Sequence, residues 1–274
     1  MPRPGTLWLT AATSAAVVLL AVAYSDAAKR TPSAAACTDI DHTHQGWTRL
    51  LQRHVRAGRV DYRALSNNPA PLNAYLEHLQ GACRAQYTSW SEAQQIAFWL
   101  NAYNAYTVAL IVEHYPLESI RDIGLLPGAA FREEFIPLRA TTAAPMSLDA
   151  IEHDTLREDF DEPRIHFALV CGARSCPPLA GSAYRADTLH AQLDAQARTF
   201  LRNRAKNRFD ADSRTLYLSA IFKWFGDDFT DDADDLAAYV ARYMPTSQAQ
   251  QIQAAPVGIE YLDYDWSLNS QAKP

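Results

Sequence analysis

The stretch "AFWLNAYNAYTVALIV", Ala97 to Val112, constrains this chain more than any other. It has helical length and is apolar on almost every side. A helix that is hydrophobic all round belongs inside a protein, with other elements packed about it. Ser89 and Glu92 form a capping-box pattern ahead of it. Pro116 predicts its end near His114. Within it stand Asn101 and Asn104, and with Thr107 or Val108 they fall on one stripe, because residues three and four apart share a helix face. A buried amide without a partner costs roughly 1–3 kcal/mol. Both must therefore meet something polar, either loop backbone or a cleft in which they orient a substrate or a catalytic group.

Around this helix the sequence reads as a single α+β domain, several helices packed about a small sheet. "WTRLLQRHV", "LNAYLEHLQ", "LDAIEHDTLRE" (N-capped by Ser147), the stretch from Asp187 to about Arg204 and "DDADDLAAYVARYM" carry helical spacing. "GRVDYRAL" contains a short extended piece, "EEFIPLRA" and "VGIEYLDYDWSL" read as strands, and "NRFDADSRTLYLSA" as a hairpin. "RIHFALVC" is a continuous apolar run of strand length, expected as a buried central strand near 164–171. On such a strand His166 points away from Cys171.

The N-terminus stands apart. Arg3 precedes an uncharged apolar run from Thr6 to Ala23, and "AYSDAA" offers small residues for a signal peptidase. Residues 1–27 are expected to be a signal peptide, or else an uncleaved anchor, the one route by which the chain would contact a membrane. Residues 28–40 read as a linker, 41–268 as the domain and 269–274 as a tail. Export places the chain in the periplasm or outside the cell, where disulfides persist. A formal charge of -6, with basic residues scattered, excludes a nucleic-acid partner of the usual kind.

Four cysteines allow three pairings. The sequence-local choice is Cys171–Cys176, leaving Cys37–Cys83. By loop entropy the longer loop stabilises by roughly 4 kcal/mol and the shorter by roughly 2. The shorter staple closes little and calls for another reason. "RIHFALVCGARSCPP" thus has three readings: a structural disulfide, a cysteine nucleophile activated by an imidazole, or a metal site. The spacing does not match structural zinc, and no metal or cofactor is expected. Glu152 and His153, neighbours on a helix, point a quarter-turn apart. His42 and His44 in "DHTHQ" read as solvated. The acids of "GDDFTDDADDL" read as dipole-favoured residues at a helix start. Phe222, Trp224, Phe225 and Phe229 read as core, with an aromatic wall to a cleft as the alternative.

The motifs "FWLNAYNAYTV", "LDAIEHDTLR", "PRIHFALVCGARSCPPL", "LYLSAIFKWF" and "YLDYDWSLN", in that order, resemble domain-of-unknown-function family 547, found in exported bacterial proteins. The resemblance runs from about Gly46 to Leu268 and carries no activity with it. It marks Asn101, Asn104, Glu152, His153, His166, Cys171, Cys176, Ser219 and Trp224 as motif positions. The functional expectation is a cysteine- and histidine-dependent hydrolase or acyl transferase acting on a peptide or envelope component. In it His166 or His153 is the base, Cys171 or Cys176 the nucleophile and Asn101 or Asn104 the orienter, with Glu152, Ser219 and Trp224 beside the substrate. The alternative is a non-catalytic binding or scaffold domain with an envelope peptide or protein as partner.

Overall fold

The computed structural model describes residues 37–142, 144–230 and 235–271. The leader expected at 1–27, the linker up to residue 36 and the tail beyond 271 lie outside the described residues. Among the described residues no helix is long and apolar enough to cross a membrane.

The central element is the helix Glu92–His114, buried at every position from Ile96 to Val108. Its capping box is Ser91 with Gln94, two residues later than the sequence pattern indicated. The Ser91 hydroxyl accepts from the Gln94 N–H (3.3 Å), and the Ser91 N–H donates to the Gln94 side chain (2.9 Å). Ser89 is engaged elsewhere, donating to the Gln86 carbonyl at the close of the preceding turn. Helices Gln45–His54, Tyr62–Asn67 and Ala70–Gln80 form around the central helix. The Cys37–Cys83 disulfide ties the start of the described chain to the turn ahead of that helix.

Strands β1 (Val55–Arg56) and β2 (Arg59–Val60) make a two-residue hairpin. Ala57 and Gly58 both take positive φ, as the tightest hairpin turns demand. Gly58 also lies flush against Pro178, where any Cβ would collide. The second sheet holds β3 (Arg208–Asp210), β4 (Thr215–Ser219) and β5 (Gly258–Leu262) in that order. β3 and β4 are the expected hairpin, antiparallel with Phe209 opposite Leu216, and β5 joins β4 in parallel. The architecture is α+β, with helix in large excess over strand.

Two expected strands are absent. "RIHFALVC" folds as a 3₁₀ turn, Pro163–Phe167, that continues as irregular chain. Pro163 occupies its first position and the Glu162 carboxylate accepts the Arg164 N–H, both of which favour a helical start. An apolar run of this length reports burial on all sides, and periodicity alone cannot say whether a strand or a tight turn is what is buried. "EEFIPLRA" makes only isolated bridges, Ile136 with Met146 and Cys83 with Arg139. Ser147 caps "LDAIEHDTLRE" as expected, accepting from the Ala150 N–H at 3.0 Å. That helix is α-helical only at Leu148–Ile151 and Arg157–Asp159, and between them Glu152–Leu156 forms a π turn. Single π turns inside helices recur at functional sites.

Apolar side chains gather into two clusters. One surrounds the central helix and includes Ile151, Leu156, Ile165 and Ala168. The other is built on β3, β4 and the helix Leu189–Leu201, and includes Phe167, Phe222 and Phe229. The segment 163–171 therefore feeds both, Phe167 into the second and its neighbours into the first.

Candidate functional site

The two amides of the central helix answer the first question of the sequence. Asn101 donates to the Tyr184 carbonyl (2.8 Å) and accepts from the Tyr184 N–H (2.9 Å). Asn104 donates to the Ala168 carbonyl (3.0 Å) and accepts from the Val170 N–H (2.9 Å). Each is a two-point clamp on main chain, and neither lines the hollow beyond it. Asn104 nonetheless fixes the backbone between His166 and Cys171. Thr107, on the same face, buries a hydroxyl for which no partner is found.

Beyond that clamp lies a hollow of about 160 Å³. Its lining combines Asp149, Glu152, His153 and His166 with the Cys171–Cys176 bridge and the aromatic side chains of Tyr103, Phe131, Trp224, Phe225, Tyr264 and Trp266. The 3₁₀ turn brings His166 to the same hollow as Cys171, where a strand would have separated them. The π turn widens the helix at Glu152 and His153, and both reach the lining. Two features of the sequence thus meet here for local reasons that its periodicity does not report.

His166 is buried, with its ring stacked 4.3 Å from that of Phe225. Nε2 lies 2.7 Å from Asp228 Oδ2. Arg157 also donates to both oxygens of Asp228, Nε to Oδ2 at 2.6 Å and Nη2 to Oδ1 at 2.7 Å. Burial opposes ionisation of Asp228, but the bonds from Arg157 and His166 prevail and hold its carboxyl well below the usual carboxylate range. An ionised carboxylate only accepts, so His166 donates from Nε2 and its Nδ1 is left with a lone pair when the ring is neutral. That nitrogen faces Glu152 Oε1 at 3.9 Å, too far for a hydrogen bond. Arg157 completes the chain by donating from Nη1 to His153 Nδ1 at 3.1 Å.

The opposite side of the gap is also organised. The Tyr103 hydroxyl engages Glu152, and burial followed by that carboxylate raises its pKa far above the ordinary phenol value. Burial lifts the Asp149 carboxyl, with His153 and Arg132 pulling the other way. The Tyr264 hydroxyl, raised by burial and then by Glu152, sits 3.2 Å from Cys171 Sγ and 3.3 Å from Cys176 Sγ. The Ala173 N–H points at Cys176 Sγ (3.3 Å). Gly172 turns the loop with positive φ where a side chain would strike Ile111.

Asp228, Arg157, Tyr103, Asp149 and Tyr264 are the residues sequence reasoning missed. Asp228 belongs to the acid-rich stretch read as helix-start dipole partners. Asp235 fills that role, accepting the Ala238 N–H at the next helix, while residues 231–234 lie outside the described residues. Asp228 instead sits in the 3₁₀ turn Gly226–Phe229, aimed by the buried Phe229 beside it. Of the aromatic quartet, Phe222 and Phe229 are core, while Trp224 and Phe225 wall the hollow. Ser219 is elsewhere, its hydroxyl accepting the Ile221 N–H. His44, expected in solvent, is buried with Nδ1 2.9 Å from the Tyr75 hydroxyl, and His42 packs edge-on against Trp90 at 4.7 Å. Among the described residues no group of three or more His, Cys, Asp or Glu is placed to hold a metal ion.

Residues 87–201 match the model of a protein family described as Protein of unknown function, DUF547. That stretch is similar to the family, and it carries the Asn101 and Asn104 clamps, Glu152, His153, His166 and the Cys171–Cys176 bridge. It is shorter than the resemblance read from Gly46 to Leu268, and Asp228, Trp224, Tyr264 and Trp266 fall outside it. No curated protein and no solved structure matches the chain.

Proposed function

We propose that this protein is an exported enzyme of hydrolase or acyl-transferase type, acting on a peptide or other envelope component, with His166 as its general base. The observation that carries the reading is the asymmetry of that imidazole. One nitrogen is committed to Asp228 at 2.7 Å, and the other faces a hollow with Glu152 3.9 Å away. A carboxylate on one nitrogen fixes the tautomer and steadies the imidazolium that forms when the other takes a proton. Arg157 keeps that carboxylate ionised and in place.

In this reaction His166 Nδ1 removes a proton from a water, or from an acceptor hydroxyl or amine, as its heavy atom bonds to the acyl carbon. The same proton is then handed to the leaving group as the old acyl bond breaks. Glu152, steadied by Tyr103, faces the gap in which the attacking group would lie. Neither Cys171 nor Cys176 supplies a thiolate while they are joined, so the nucleophile comes from water or from the second substrate. A thiol nucleophile requires the bridge to be opened first.

Turnover of a panel of p-nitrophenyl esters and peptide p-nitroanilides tests this. His166→Gln and Asp228→Asn are each expected to lower kcat/KM by about 10²–10⁴-fold. Turnover that is no faster than in buffer, or that ignores His166→Gln, removes the enzymatic reading. The non-catalytic binding domain would then stand, favoured by the closed disulfide and by amides sealed onto main chain.

A further inference from the structure

From the six aromatic rings and two carboxylates that line the His166 hollow, with no lysine or arginine among the lining residues, we infer that it binds an alkylammonium group: a primary amine cation on a short hydrocarbon stem. This rests on the reading of the hollow as the functional site and names the class of group that enters it. Aromatic faces are negative at their centres and attract cations, more strongly where water is excluded. Asp149 and Glu152 add acceptors for ammonium N–H groups.

The surroundings agree. The Arg121 guanidinium already lies 5.3 Å from the centre of Trp266, and Arg157 lies 5.1 Å from that of Phe225. Two of the six rings thus already face a cation, which leaves Tyr103, Phe131, Trp224 and Tyr264 for a ligand. Arg157 is neutralised by Asp228, which leaves Asp149 and Glu152 as the charges facing the hollow. The volume of about 160 Å³ is below that of pockets for drug-sized ligands, and suits a cationic head with a few methylenes. Trp224 is 46 % exposed and packs 4.8 Å from Tyr264, which in turn lies 4.7 Å from Trp266. That places an aromatic rim at the mouth, along which the stem can lie.

A primary ammonium is preferred to a quaternary one because two carboxylates reward N–H donors. An anionic or neutral group of the same length gains neither the charge nor the ring attraction.

The test is titration of the folded full-length protein with n-butylammonium chloride, followed by tryptophan fluorescence and by chemical-shift changes. 1-Butanol, butyrate and tetramethylammonium serve as matched probes at constant ionic strength. Butylammonium is expected to bind in the millimolar range, at least tenfold tighter than butanol and butyrate and measurably tighter than tetramethylammonium. Glu152→Gln and the exposed Trp224→Ala should each weaken it several-fold without unfolding the chain, as checked by circular dichroism. Equal binding of butanol, absence of any saturable amine binding, or indifference to both substitutions overturns the inference. Tetramethylammonium binding more tightly than butylammonium overturns the primary-amine assignment. Turnover by the unsubstituted chain and by His166→Gln separates the two proposals. Saturable amine binding with no turnover by the unsubstituted chain, or with turnover that His166→Gln leaves unchanged, keeps this inference and ends the enzymatic reading. Turnover that His166→Gln abolishes, without amine binding, does the reverse.

Discussion

Two sets of buried polar side chains lie within a few turns of each other and have opposite fates. Asn101 and Asn104 spend both ends of their amides on the main chain of distant loops. His166 spends one nitrogen on Asp228 and turns the other toward Glu152 across a gap. The first arrangement is anchored to main chain at both ends of the amide and can only hold. The second has an unused acceptor facing a hollow and can exchange protons. Burial and chemical type do not separate the two sets, for all three residues are nearly inaccessible. What separates them is that the imidazole alone keeps a nitrogen turned toward the hollow.

The largest test of that contrast is Asn104→Ala. It deletes two bonds and strands the Ala168 carbonyl and the Val170 N–H, so denaturant unfolding should show a loss of roughly 2–5 kcal/mol. Glu152→Gln should cost under about 1 kcal/mol in the same assay, because the amide oxygen can still accept from the Tyr103 hydroxyl and the side chain borders the hollow. If the two substitutions cost the same, the distinction between holding and exchanging groups is lost.

His44 sharpens the contrast from the middle, being sealed yet with Nε2 unpartnered. Burial pushes its pKa down to about 4, with His42 adding to the effect, against an ordinary value of 6.5. The folded chain therefore holds His44 neutral where the unfolded chain binds a proton. Stability is unaffected above pH 6.5 and falls as pH drops from there toward 4, by about 3 kcal/mol at most. Unfolding free energies measured across that window should slope downward toward acid, and His44→Gln should flatten the slope. An unchanged slope would show that other groups govern it.

A further test concerns the bridges. Replacing Cys171 and Cys176 by serine should cost roughly 2 kcal/mol, about half the loss for Cys37 and Cys83, from the lengths of the loops they close. If the Cys171–Cys176 pair proves nearly neutral in stability while ligand binding changes, its value lies in shaping the hollow that it borders.

Much of this fold was legible in the sequence because its strongest signals are local. The all-apolar helix, the Ser147 cap, the β3–β4 hairpin and both disulfide pairings follow from periodicity, capping chemistry and spacing. The 3₁₀ turn at Pro163–Phe167 was not legible, since an apolar run looks the same whichever backbone it takes. For the site, the imidazoles, Glu152, Trp224 and the bridge stand out by residue type alone. Their grouping was not, because it depends on two backbone departures, the 3₁₀ turn and the π turn at Glu152–Leu156. Asp228 was hidden among other aspartates, 62 positions from the histidine it serves. That Asn101 and Asn104 must find partners follows from their place in an apolar helix, but the partner is backbone rather than a catalytic group.

The division of the interior into two apolar clusters bears on how the hollow behaves. Glu152 rides between Ile151 and Leu156, which belong to the central-helix cluster, whereas Asp228 is carried by Phe229 in the sheet cluster. The acid that steadies the imidazole and the acid that confronts it are thus bolted to separate halves of the interior, with His166 bridging the seam. How those two greasy bodies settle against each other therefore sets the opening between Nδ1 and Glu152.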